Sequence, residues 1–203
     1  MTSQMAPDRT ATRVVIAEDE AIIRLDLKEL LEEEGYEVVG ETGRGDEAVD
    51  LVRDLDPDLA ILDIKMPGMD GLAAAREIAG ERRAAVLLLT AFSQRDLVEQ
   101  ARDAGALAYL VKPFQRNELV AALEVALGRF RELKALESEV KGLEDALETR
   151  KVVDRAKGTL MDRWKLSEAD AFTFIRTKAM QQRVTLKQVG QQILDGQLTP
   201  EAG

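Results

Sequence analysis

Between residues 13 and 112, short apolar runs alternate with amphipathic stretches. RVVIA at Arg13–Ala17, YEVVG at Tyr36–Gly40, DLAILD at Asp58–Asp63, AVLLLT at Ala85–Thr90 and AYLVK at Ala108–Lys112 are too short for helices. They read as strands, and the continuous apolar runs of DLAILD and AVLLLT are those of buried strands, the former on both faces. Between them the helical period predicts helices over 21–34, 46–54, about 71–80 and 94–104. The first places Ile22, Ile23, Leu27, Leu30 and Leu31 on one face and is closed by Gly35; the second turns Ala48, Val49 and Val52 inward; the last is ended by Gly105. Five strands joined by helices through short loops imply an α/β fold with a five-stranded parallel sheet covered on both faces. Periodicity leaves the strand order open.

From Gln115 the pattern is helical without a clear stop for over thirty residues. Leu119, Leu123, Ala126, Phe130 and Leu133 follow 4-3-4-3 spacing; after a three-residue step Leu136, Val140, Leu143 and Leu147 resume it. The first half is expected to pack on the sheet and the second to form a short coiled-coil seam. The seam is under two heptads long, and a dimer and an intramolecular helix pair explain it equally well; Gly142 weakens the helix there. Three further helical patterns follow. The first continues from about 148 to 163 and carries Val152, Val153, Ala156 and Leu160. The second starts at Ser167 with Asp170 three residues on and turns Phe172, Ile175 and Ala179 inward. The third starts at Thr185 with Gln188 and buries Leu186, Val189 and Ile193, and Trp164 and Phe174 add to the small core. Gly158 inside a helix costs about 1 kcal/mol relative to Ala, which suggests close approach of another backbone or a ligand. The chain therefore divides into a disordered tail at 1–12, an α/β domain at 13–125, a helical linker at 126–147 and an all-α three-helix domain at 148–197.

Charge supports that division. The chain carries 28 Lys/Arg against 38 Asp/Glu, a net charge of -10. Residues 148–203 hold ten basic and seven acidic residues, leaving eighteen and thirty-one for 1–147, or +3 and -13. An acidic body with a basic end points to two different partners, a polyanion being the candidate for the second. The chain has no cysteine and no histidine, which excludes disulfides, thiolate chemistry, zinc fingers and any His-based acid/base mechanism. No apolar run approaches the ~20 residues needed to cross a bilayer, and MTSQMAPDRTAT has no signal-peptide core, so a cytoplasmic location without membrane contact is expected.

The carboxyl edge of the expected sheet collects Glu18, Asp19, Asp63, Thr90 and Lys112 from four strands. In open α/β sheets ligands bind at that edge. Converging carboxylates raise one another's pKa, and a hard divalent ion such as Mg²⁺ resolves the repulsion. Lys112 and the Thr90 hydroxyl supply donors for a phosphoryl group. The set describes phosphoryl transfer to a carboxylate nucleophile. The plainer alternative, an internal Lys112–Asp63 salt bridge, leaves Glu18 and Asp19 unexplained.

AEDE at 17–20, LDIKMPGMDG around Asp63, LLTA at 88–91 and YLVKPF at 109–114 resemble the receiver domain of two-component response regulators, in order and across about residues 13–125. The resemblance implies a flavodoxin-like fold. It also implies that Asp63 accepts phosphate from a sensor histidine kinase, that Glu18, Asp19, Asp63 and the Lys65 carbonyl hold Mg²⁺, that Lys112 contacts the phosphoryl group, and that Thr90 and Tyr109 form a switch pair. The family usually has two aspartates where this chain has Glu18-Asp19; Ala91 is small, as access to Asp63 requires, and the Lys65 side chain beside the pocket is expected to tune phosphoryl lifetime.

TRKVVDRAKGTLMDRW followed by SEADAFTFIRTKAMQQRVTLKQVGQQIL resembles the ANTAR domain, an RNA-binding antitermination module. The match rests on AKGxLM at 156–161, DAF at 170–172 and the Ala179, Arg183, Leu186, Val189 spacing, and departs from it at Trp164-Lys165, where the family often has a glycine. It implies binding of paired RNA hairpins, with Arg150, Arg155, Lys157, Gly158, Arg176 and Arg183 as contacts. Any one of these basic residues fits a solvated helix face equally well. The expected protein is thus a phosphoacceptor rather than an enzyme, with a homodimer among the partners that phosphorylation allows. The alternative is a DNA-binding transcriptional response regulator using Thr185–Leu194 as recognition helix, although that helix carries only Lys187 as a basic residue.

Overall fold

The computed structural model describes residues 11–91 and 95–200, the second span with side chains from Val98 onward. Most of the tail expected to be disordered, 1–10, and the expected helix start at Gln94 lie outside the described residues. Thr12, at the end of that tail, is placed: its carbonyl accepts the Glu37 N–H at 2.9 Å.

Five strands, β1 (Arg13–Ala17), β2 (Glu37–Thr42), β3 (Leu59–Asp63), β4 (Ala85–Thr90) and β5 (Ala108–Val111), form one parallel sheet in the order β2-β1-β3-β4-β5. This is the flavodoxin-like arrangement. The order reverses beside β1, so a crevice opens between the carboxyl ends of β1 and β3. Helices α1 (Ala21–Glu33), α2 (Gly45–Leu55), α3 (Gly71–Glu81) and α4 (Arg95–Asp103) connect the strands, and α5 (Arg116–Trp164) follows the last.

Each strand feeds both faces of the sheet, because successive side chains alternate. Val15, Ala17, Ala60, Leu62, Val86 and Leu88 meet Val49 and Val52 of α2 and Ala75 and Ile78 of α3. Val14, Ile16, Leu59, Ile61, Leu87 and Leu89 meet Leu27 and Leu31 of α1 and Leu119, Leu123 and Ala126 of α5. Ile22, expected on the buried face of α1, is instead 78% exposed. It lies five residues before Leu27, about 140° around the helix from the stripe that Ile23, Leu27 and Leu31 share.

Helix α5 runs unbroken through Gly142 and to Trp164, and the pattern at 148–163 continues it as its last part, as expected. Two compact units divide between Lys134 and Ala135. In the second, Val153, Ala156 and Leu160 of α5 pack with Ala171, Ile175 and Ala179 of α6 (Glu168–Gln182) and with Val189 and Ile193 of α7 (Leu186–Leu194). The Ser167 hydroxyl accepts the Asp170 N–H, and Thr185 with Gln188 makes a full capping box, so both starts read from sequence are formed. Two expectations fail here. Phe172 is 41% exposed and Ala171 takes the core position, since the stripe is Ala171, Ile175, Ala179. A Cβ on Gly158 would meet nothing within 4 Å; the close approach is at Gly190, whose Cβ would lie 2.9 Å from Val152 Cγ1. Among the described residues no helix is long and apolar enough to cross a membrane.

Candidate functional site

The hydrogen-bond ladder continues past the strand ends and fixes the residues that follow. Glu18 N–H donates to the Thr42 carbonyl at 3.0 Å, Ile64 N–H to Leu89 at 3.0 Å and Lys112 N–H to Thr90 at 2.7 Å. The Arg24 guanidinium ties α1 to the Glu18 carbonyl. Oxygens of the Glu18, Asp19 and Asp63 carboxylates consequently lie within 4.8 Å of one another. Glu18 and Asp63 are buried and Asp19 is exposed, so the cluster has one wet side.

Lys112 Nζ lies 2.5 Å from Glu18 Oε2 and 2.8 Å from Asp63 Oδ1, and the other Asp63 oxygen accepts the Lys65 backbone N–H at 3.0 Å. The ammonium therefore bridges two carboxylates, more than the simple Lys112–Asp63 pair. Burial pushes the Glu18 carboxyl above its ordinary range, opposed by its bond to Lys112. Burial pulls the Lys112 ammonium down, but the hydrogen bonds it donates to Asp63 and Glu18 outweigh that and leave Lys112 raised. Three carboxyl groups gathered around one ammonium offer hard oxygen donors with one wet side, which fits a divalent ion of the Mg²⁺ class.

Thr90 is buried at the same edge, whereas Tyr109 is 44% exposed. Tyr109 lies in register with Leu88, two positions down β5 from the residue opposite Thr90, in a cleft with Val98, Arg102, Val125 and Arg129. Beside the carboxylates a second cleft opens between Glu20, Ile23, Ala91, Lys112 and Pro113. Gly71, at the start of the helix expected over about 71–80, has a packing role that no sequence pattern marks: a Cβ there would lie 2.0 Å from the Asp63 carbonyl oxygen. Likewise Gly45 sits against Met69, where a Cβ would come 2.2 Å from the carbonyl oxygen. These two glycines seat the loop that follows Asp63.

The basic residues of the second unit do not form one patch. Arg150 and Lys157 line a groove with Thr149, Val153, Phe172 and Leu186, and Asp145 and Asp154 border it. Arg155 lies about 140° around α5 from Arg150, outside that groove. Lys157 is tied to Asp154 at 3.0 Å and Glu168 at 2.8 Å, whereas the Arg150 side chain is 82% exposed and only 3.9 Å pairing distance from Asp154. Arg176 is exposed one turn beyond Phe172, and Arg183, also exposed, is the left-handed C-cap of α6. The exposed ring of Phe172 is the feature the sequence pattern misassigned.

The family described as "Response regulator receiver domain" matches residues 14–124, and "ANTAR domain" matches residues 141–194. The chain is 57% identical over 189 residues to the transcriptional regulatory protein PdtaR of Mycobacterium tuberculosis, covering 93% of this chain and 92% of that one. It is 41% identical over 112 residues to the chemotaxis protein CheY of Thermotoga maritima, covering 55% of this chain and 93% of CheY. Among solved structures, the signal receiver domain of the response regulator NarL from Mycobacterium tuberculosis is similar at 36% identity and a TM-score of 0.55, over 58% of this chain and 98% of that one. Sheet order, acidic edge and both matched segments agree: the chain belongs to the response regulators that join an N-terminal receiver domain to a C-terminal ANTAR domain.

Proposed function

We propose that Asp63 takes a phosphoryl group from a sensor histidine kinase, and that this controls binding of RNA hairpins by the C-terminal domain in transcription antitermination. The observation that carries the proposal is Asp63 itself: buried, at the end of β3, beside Glu18 and Asp19, with one oxygen on Lys112 and the other on a backbone N–H. One Asp63 oxygen attacks the phosphorus of a phosphohistidine; the P–O bond forms as the P–N bond breaks and the imidazole leaves with the electron pair. Glu18, Asp19, Asp63 and the Lys65 carbonyl would hold Mg²⁺, which when bound would neutralise the phosphoryl charge. Lys112 exchanges its bond to Asp63 for a phosphoryl oxygen, and the Thr90 hydroxyl turns to another. The space Thr90 leaves admits Tyr109, now exposed, which gives the receiver two states for the output to read. Residues 13–125 act as receiver, 126–147 as helical linker and 148–197 as RNA-binding output.

Lys65 follows Asp63 by two residues, its backbone N–H bonds the Asp63 carboxylate and its side chain is exposed. Lys65→Asn places a shorter group, able to hydrogen-bond water, beside the acyl phosphate. The phosphoryl lifetime is expected to shorten several-fold in an autodephosphorylation assay; an unchanged lifetime removes Lys65 from this role.

On the output side Phe172, with Arg150 at its groove, offers a stacking platform beside a cation, which suits an unstacked base in a hairpin loop. Phe172→Ala is expected to weaken hairpin binding by about 1–3 kcal/mol, the range for loss of one base–aromatic stack, while leaving the helical fold intact because the ring is exposed. Fluorescence anisotropy with a tandem-hairpin RNA, beside circular dichroism, reads both. The DNA-binding alternative loses ground, since Lys187 of α7 is held by Glu148 at 2.5 Å. A gel shift comparing hairpin RNA with duplex DNA separates the readings: a shift with RNA alone supports the proposal, and one with DNA alone replaces it.

A further inference from the structure

We infer that Arg44 is a positioning residue for the divalent ion: its ion pair with Asp46 is the plate on which the loop after Asp63 rests, and this sets where the Lys65 carbonyl stands relative to Glu18 and Asp19. The inference rests on the assignment of Mg²⁺ to that edge. The ligands come from two loops, Glu18 and Asp19 from the one after β1 and Lys65 from the one after β3. The turn from β2 into α2 touches both. On one side the Thr42 carbonyl accepts the Glu18 N–H at 3.0 Å, and a Cβ on Gly43 would lie 3.5 Å from Asp19 Cα. On the other side the turn meets the loop at two of its residues. A Cβ on Gly45 would strike the Met69 carbonyl, and one on Gly68 would lie 2.7 Å from Arg44 Nη2 and 3.0 Å from Asp46 Oδ1. Gly68 also has a φ of +77°, so the loop bends back over the ion pair where a side chain fits poorly on both counts.

Arg44 is held in one place. Its Nε donates to Asp46 Oδ1 at 3.0 Å and its Nη2 to Oδ2 at 2.7 Å, a two-bond fork that fixes the guanidinium plane. Its backbone N–H donates to the Thr42 hydroxyl at 3.2 Å, and that hydroxyl, on a buried residue, donates to Glu47 at 2.5 Å. A lysine in its place offers a point charge and no plane. The Arg44 and Asp46 side chains are 44% and 45% exposed, so as a surface pair they add little to the stability of the fold. What they fix is the height of Gly68, three residues beyond Lys65.

The test titrates Mg²⁺ into the full chain by calorimetry. Arg44→Ala is expected to bind Mg²⁺ about tenfold more weakly, the lower end of the range for groups that orient metal ligands, with an unchanged circular dichroism spectrum. The sign is decisive, because taking a cation away from a cation site would by charge alone tighten binding. Arg44→Lys keeps the charge and loses the plane, so it is expected to weaken binding as the alanine does. Phosphoryl uptake from a small phosphodonor should slow in both variants at low Mg²⁺ and return to the wild-type rate at saturating Mg²⁺. Unchanged or tighter Mg²⁺ binding by Arg44→Ala overturns the inference, and so does wild-type affinity in Arg44→Lys. A rate deficit that saturating Mg²⁺ leaves in place also overturns it, since the arginine then acts on the phosphoryl group. Wild type that binds no Mg²⁺ at all is a different failure, and it removes the metal assignment together with the role of Arg44.

Discussion

Lys112→Ala is expected to lower the stability of the Mg²⁺-free protein by about 3–5 kcal/mol, the cost of removing one partner from a buried ion pair. The Lys112 side chain is 16% exposed and bridges Glu18, fully buried, to Asp63. Without it, two carboxylates face each other with no cation. The same change removes the competitor for those oxygens, so Mg²⁺ affinity is expected to rise, and saturating Mg²⁺ to return much of the lost stability by mass action. The pH dependence has a definite sign. Glu18 is held above its ordinary range, so folding favours its protonated form; that contribution is present below the ordinary glutamate range and is lost as pH rises through the folded value. The deficit of the variant should therefore shrink in acid, and wild-type Mg²⁺ binding should weaken as pH falls toward the raised Glu18 range. Urea unfolding with and without Mg²⁺ reads this directly, and a variant as stable as wild type with unchanged Mg²⁺ affinity would contradict it.

Gly71→Ala is expected to damage the pocket from outside it. A Cβ at Gly71 would stand 2.0 Å from the Asp63 carbonyl oxygen and 2.8 Å from its carbon, so the new atom meets backbone and no side chain can swing away. The expected loss is about 2–3 kcal/mol, toward the upper end of overpacking costs. Phosphoryl uptake should fall with it, because the atom that must yield belongs to Asp63. Gly80→Ala on the same helix is the control: its Cβ would meet nothing within 4 Å. It should gain about 0.4–1 kcal/mol by restricting the unfolded chain and leave phosphorylation unchanged. Equal behaviour of the two variants would remove Gly71 from its positioning role.

The strands and most helices were legible because their signals are local. The uniform apolar runs at β3 and β4 can only be doubly buried strands, and the Ser167 and Thr185 caps mark helix starts by side-chain chemistry. The acidic edge was legible because Glu18, Asp19, Asp63, Thr90 and Lys112 each follow or end a strand. Strand order was not, since it depends on how helices pack across the sheet. Nor were the exposed Ile22 and Phe172, where an apolar residue sits off the stripe it was assigned to and composition cannot choose between neighbouring phases. The Gly71–Asp63 contact escaped for a different reason: it joins the end of β3 to the start of α3 across eight residues, and a glycine there looks the same in sequence whether or not it leaves room for a carbonyl. At Gly158 a helix glycine suggested crowding, and the crowded one is Gly190.

The central claim, that phosphorylation of Asp63 governs RNA binding, is tested most directly by one comparison. Affinity for a tandem-hairpin RNA is measured for wild type and Asp63→Ala, each with and without a small phosphodonor plus Mg²⁺. Binding that tightens on phosphodonor addition in wild type, and stays flat in Asp63→Ala, is the predicted result; wild-type affinity that is the same in both conditions would contradict it.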